Sequence, residues 1–164
     1  MQHPRAAESP LLDVLMCLRR RLGQVERPWA VTGSMGFSLQ GLPVEVHDID
    51  LQTDREGAYA IEEIFTEAVV QPVALSGTER VRSYFGTLEL QGARIEIMGD
   101  LQKRLPDGSW EPPVTVAEHL RYIEVRGLSI PVLDLRYEAE AYRTLGRHDR
   151  ADMLARWLDA NNTR

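Results

Sequence analysis

The sequence predicts an α+β fold, a mixed β-sheet flanked by helices with a helical pair at the C-terminal end. Two observations carry this. Apolar residues recur at helical spacing near the amino terminus, across residues 56–68 and again after residue 137. Between them, residues 69–133 change period and read as short apolar runs punctuated by Gly-containing turns. With 43% hydrophobic and 27% charged residues, the 164-residue chain is globular and long enough for one ordinary core. It shows no internal repeat, low-complexity tract or linker, so residues 1–164 are read as a single domain.

Ser9 and Pro10 open the first helix as N-cap and first helical residue, ahead of the stripe Leu11, Leu12, Val14, Leu15, Leu18 and Leu22, and Gly23 closes it. Residues 29–32 form a short buried strand. Residues 35–40 form a short helix ending at Gly41, with Pro43 preventing its continuation. Residues 46–52 form the next strand, and residues 56–68 an amphipathic helix with Asp54 as its N-cap.

Residues 69–75, 83–90 and 94–98 read as strands, the last two a hairpin turning at Gln91-Gly92. Residues 103–113 hold Pro106, Asp107, Gly108 and two further prolines, and form a loop. Residues 121–126 and 128–133 make a second hairpin around Gly127. Residues 137–145 and 148–158 are the closing helices, separated by Gly146.

Charge and composition exclude several classes. A net charge of −6 argues against a broad non-specific grip on nucleic acid, which needs clustered Lys and Arg. Cys17 is the one cysteine, which excludes an internal disulfide or a cysteine zinc cluster, and its helical context makes it a core thiol. No secretion-signal pattern and no membrane-spanning apolar run is present, so the expected location is the cytoplasm, without membrane association. Homo-oligomerisation is left open.

The chemistry concentrates in two short stretches. Asp48 and Asp50 stand i, i+2 on the strand at 46–52, so they share a face while Ile49 and Leu51 point to the core. Two acids held side by side repel unless a cation lies between them, and Mg2+ or Mn2+ takes carboxylate and phosphate oxygens. Just upstream, Gly33-Ser34 follows a buried strand and offers a hydroxyl and backbone N–H groups to a phosphate. Glu96, set between Ile95 and Ile97, faces away from the core and supplies a third acid if its strand adjoins the Asp48–Asp50 strand.

Each signal has a plainer use. An Asp-x-Asp alone is ordinarily a solvated strand edge, Gly-Ser punctuates many turns, and Glu96 could serve a buried ion pair with a nearby arginine. Their conjunction is what points to metal plus phosphate. His47 should face away from the acid pair. Arg80, Arg82, Lys103, Arg104, Arg143 and Arg147 are all candidates for reaching a triphosphate, with none singled out. Trp29 and Trp157 read as packing residues, and Trp110 as a loop residue without an assigned role.

The Gly-Ser turn, the Asp-x-Asp strand and a later acid on a strand resemble the nucleotidyltransferase superfamily with the DNA polymerase beta-like core. The resemblance is closer to small prokaryotic nucleotidyltransferase-like proteins of about this length. It covers Val31-Thr32-Gly33-Ser34, Leu39-Gln40-Gly41, residues 44–50, Gln52-Thr53-Asp54, Glu96-Ile97-Met98-Gly99-Asp100, Ile130-Pro131-Val132-Leu133, Ala141-Tyr142 and Leu145-Gly146-Arg147.

It implies a phosphate-binding role for Gly33 and Ser34, and catalytic, metal-holding roles for Asp48, Asp50 and Glu96. The last position is usually Asp in that superfamily. The implied reaction is Mg2+- or Mn2+-dependent transfer of a nucleoside monophosphate from an NTP, ATP foremost, to a hydroxyl of a small molecule or protein. The alternative is a catalytically inactive member of the fold acting as nucleotide sensor or partner-binding module, which the short chain and the Glu at position 96 favour.

Overall fold

The computed structural model describes residues 10–161. Helix α1 (Pro10–Leu22) buries Leu12, Leu15, Leu18 and Leu22 along one stripe; the N-cap expected at Ser9 lies outside the described residues. There follow β1 (Trp29–Thr32), α2 (Gly33–Leu39), β2 (Ile49–Thr53) and α3 (Arg55–Ile64). A 3-10 turn (Thr66–Ala68) leads into β3 (Val69–Gly77), β4 (Val81–Leu90) and β5 (Ala93–Lys103). A second 3-10 turn (Val116–His119) precedes β6 (Leu120–Val125), β7 (Leu128–Leu133), α4 (Leu135–Thr144) and α5 (His148–Asn161).

The seven strands form one mixed sheet in the order β3-β4-β5-β2-β1-β7-β6. β2 runs parallel to β5 and β1 parallel to β7, while the other neighbours are antiparallel. Fold class and the two hairpins therefore agree with the sequence reading.

Alternation on β2 and β5 gives the sheet two unlike faces. Ile49, Leu51, Ile95 and Ile97 are wholly buried in the main core with Leu12, Leu15, Ala58 and Ile61 of α1 and α3. Asp50, Gln52, Glu96 and Met98 face the other way, toward α4. A second apolar cluster joins α2, α4 and α5 through Phe37, Leu135, Ala139 and Leu154. Among the described residues no helix is long and apolar enough to cross a membrane.

Several boundaries differ from the sequence expectation. The acid-bearing strand starts at Ile49, not residue 46, so Asp48 sits in the bend just before it. The ladder has no partner to offer earlier: Asp50 pairs with Thr32, where β1 ends, and Ile49 with Ile95, close to the β4–β5 turn. Helix α2 begins at Gly33, two residues earlier than expected.

Helix α3 stops at Ile64 because Arg21 donates to the Ile64 carbonyl at 2.6 Å and stacks over fully buried Phe65. Its N-cap is Asp54 as expected, accepting from the Gly57 amide at 2.7 Å. Strand β5 runs on to Lys103, and Arg104 bridges to Trp110 across what reads as loop. Cys17, read as a core thiol, is only partly buried.

Candidate active site

The sheet register assembles the acids. Asp50 lies opposite Thr32 on antiparallel β1 and beside Glu96 on parallel β5, with Asp48 two residues upstream. One carboxylate oxygen from each of Asp48, Asp50 and Glu96 lies within 4.8 Å of the other two. Asp50 Oδ1 is buried and has no hydrogen-bond partner.

Burial foremost, then the charges of Asp48 and Glu96, push the Asp50 carboxyl up to about 7, against the opposing pull of Arg150 and Arg94. Such a cluster of hard oxygens with an orphaned lone pair suits a divalent cation, so the residues present fit Mg2+ or Mn2+.

The turn after β1 closes on the same point. Gly33 has φ +67, and a Cβ built there would overlap Asp50 Oδ2. Both the backbone conformation and the space exclude a side chain. Thr32 does not cap α2. Its hydroxyl instead donates to Glu138 of α4 at 2.7 Å, and the Gly33 amide is directed at the same carboxyl. Glu138 is buried, and desolvation is the main cause pushing it up to about 8.

Two cavities meet here. One of about 440 Å³ is lined by Asp50, Gln52, Glu96 and Glu138 along its polar wall. Another of about 700 Å³ is lined by Ser34, Phe37, His148 and Met153. Arg147 and Arg150 line both. Arg150 lies over the rings of Phe37 and Tyr142, centroids 5.5 and 5.4 Å away, and Arg147 over Tyr142 at 5.2 Å.

The structure thus brings Asp48, Asp50, Glu96 and Gly33 together, with Ser34 on the adjoining cavity. The ion pair considered for Glu96 is also present: Arg94 Nε lies 3.1 Å from Oε2, on the half-exposed side of the cluster. His47 is exposed and 3.3 Å from Glu45.

Among the cations considered, Arg82 and Arg147 line the smaller cavity, whereas Lys103 is buried against Glu111 and Arg143 pairs with Asp152. Arg80 donates to the Leu145 carbonyl. Trp110 is the ring over which Arg82 and Arg104 stack.

Three residues of this site were missed in the sequence. Gln52 carried a usable signal, since it is i+2 from Asp50 on the same strand. Glu138 carried another, as a carboxylate beside buried Leu135 and Ala139 on a helix face. Arg150 carried none.

A family model described as aminoglycoside-2''-adenylyltransferase matches residues 14–155. The crystal structure of a Thermotoga maritima protein, provisionally assigned as a nucleotidyltransferase, is 51% identical over 92% of this chain and 94% of that chain, with a TM-score of 0.80.

Two more distant structures share the fold. The lincosamide antibiotic adenylyltransferase LnuA, solved with lincomycin bound, is 11% identical, covers 94% of this chain and 99% of its own, and has a TM-score of 0.51. ANT(2'')-Ia, solved with adenylyl-2''-tobramycin, is 12% identical over 94% and 100%, with a TM-score of 0.51. No curated protein matches. By the model that spans most of its length, and by the nucleotidyltransferase fold it shares with these structures, the chain belongs to the aminoglycoside-2''-adenylyltransferase family.

Proposed function

We propose that the protein is a Mg2+-dependent nucleotidyltransferase, moving a nucleoside monophosphate from an NTP, ATP foremost, to a hydroxyl of a small molecule. The observation that carries this is the convergence of one carboxylate oxygen each from Asp48, Asp50 and Glu96 within 4.8 Å, on a cluster in which Asp50 Oδ1 is buried without a partner. These three side chains would hold the cation. A bound divalent cation supplies charge neutralisation at phosphate and a lowered hydroxyl pKa.

The chain's own residues do the rest. Gly33, lacking a side chain, lets the turn after β1 close directly onto Asp50, one of the acids that would hold the cation. The Ser34 hydroxyl and the guanidinium groups of Arg147 and Arg150, around the 700 Å³ cavity, bind and orient the phosphates. Glu138 fixes the Thr32-Gly33 turn from below. Preorganised in this way, the site spends no reorganisation as charge develops on the transferring group. ANT(2'')-Ia, solved with adenylylated tobramycin, supports a small-molecule acceptor.

The test is calorimetric titration of ATP with Mg2+ and with EDTA, alongside pyrophosphate release on a panel of hydroxyl compounds. Mg2+-dependent ATP binding that disappears in Asp50→Ala, with pyrophosphate release on at least one acceptor, is expected. Equal ATP binding by Asp50→Ala and the wild type overturns the reading.

A further inference from the structure

Buried polar atoms lacking a hydrogen-bond partner are rare and ask for an explanation. Among the described residues three side-chain oxygens qualify: Asp50 Oδ1, Gln52 Oε1 and Glu138 Oε2. All three residues line the one cavity of about 440 Å³. Asp50 is accounted for by the cation. Gln52 and Glu138, 7% and 3% exposed, are not. Glu138 uses its other oxygen for Thr32, and no side-chain hydrogen bond engages Gln52 among the described residues.

The geometry points to a subsite for a neutral, polyhydroxylated acceptor, with Gln52 and Glu138 binding its hydroxyls beside the acid cluster. This rests on the nucleotidyl-transfer reading and names the acceptor class for it.

Two features select that chemistry. A hydroxyl both donates and accepts, so it satisfies a carboxyl and a carboxamide in either of their hydrogen-bonding roles. An ammonium only donates and needs acids to receive it. The acids lining this cavity are Asp50, Glu96 and Glu138. The first two are committed to the cation, and Glu138, with one oxygen on Thr32, keeps a single free oxygen, too little acid for a ligand carrying several ammonium groups.

Arg82, on the same lining, stacks over Trp110 at 4.3 Å and donates to Gln102, with no carboxylate on it among the described residues. A polycation would meet that charge unrelieved. Phe85, Met98 and Leu101 supply an apolar wall for the ring carbons of a sugar or cyclitol.

The experiment loads the protein with Mn2+ and α,β-methylene-ATP, then titrates methyl α-D-glucopyranoside, myo-inositol and tobramycin by calorimetry. At least one neutral polyol is expected to bind in the millimolar range, tenfold or more tighter than tobramycin. Gln52→Leu and Glu138→Leu are expected to weaken it at least tenfold. Glu138→Gln, which can still engage both Thr32 and a hydroxyl, retains it.

Gln52→Leu removes no hydrogen bond seen in the fold, so it reports on the subsite even if Glu138→Leu fails to fold. Tobramycin binding tighter than both polyols overturns the inference. So does polyol affinity unmoved by Gln52→Leu, or the lack of polyol binding when α,β-methylene-ATP binds normally. A wild type that binds no α,β-methylene-ATP instead overturns the nucleotidyl-transfer reading itself.

Discussion

Gly33 and Asp50 pack so closely that the space a Cβ would fill at Gly33 is already taken by Asp50 Oδ2. The turn and the buried acid are therefore one unit, and a change in either moves the other. With φ at +67 the position is also strained for any L side chain. Gly33→Ala is expected to lower stability by about 1–3 kcal/mol. It should also weaken ATP affinity tenfold or more, because Asp50 must shift. Urea unfolding and ATP calorimetry check the two effects separately.

With divalent cations chelated, the acid cluster makes stability depend on pH in a definite direction. Asp50 titrates near 3.8 in an unfolded chain and near 7 in the fold. Between those values the folded protein keeps a proton the unfolded chain has lost, so stability falls as pH rises and the penalty is complete above about 7. Its ceiling is on the order of 4 kcal/mol. Glu138, displaced from 4.5 to about 8, adds a loss of the same sign. In EDTA, Asp50→Asn should be more stable than wild type at pH 8 and show a flatter profile from pH 5 to 8. Mg2+ should restore the wild type and leave Asp50→Asn unmoved.

Glu138 receives the Thr32 hydroxyl at 2.7 Å inside the protein. Glu138→Ala strands that hydroxyl and the neighbouring Gly33 amide, at an expected cost of about 2–4 kcal/mol including the lost packing. Glu138→Gln keeps an acceptor in place and should cost less than half as much. Denaturant midpoints with unchanged slopes would show the ordering, and equal losses for both variants would contradict it.

Arg94 competes with a cation for Glu96. Its guanidinium lies 3.1 Å from Oε2, while its own side chain is 54% exposed. An exposed pair of this kind contributes little to folding, so Arg94→Ala should change stability by less than about 0.5 kcal/mol. Release of Glu96 should tighten Mn2+ binding about two- to fivefold, measured by calorimetry at low salt. Weaker Mn2+ binding would mean that Arg94 orients Glu96 instead.

Much of this was legible in the chain. Apolar period placed β1 and both hairpins, and located α1 and the closing helices to within a few residues. Alternation put Asp50 and Glu96 on the face away from Ile49, Leu51, Ile95 and Ile97. The boundaries that moved were set by partners distant in sequence. β2 starts only where Thr32 and Ile95 can pair with it, and α3 ends where Arg21 takes its last carbonyl.

Local periodicity, turn residues and the Asp-x-Asp spacing determined the elements and the face each acid occupies, because side-chain direction follows from backbone geometry alone. That β5 lies beside β2, and that Glu138 of α4 and Arg150 of α5 reach the same point as residues more than a hundred positions away, was decided by tertiary structure. Strand order and helix docking depend on burying the whole apolar surface at once, which no single stretch of sequence encodes.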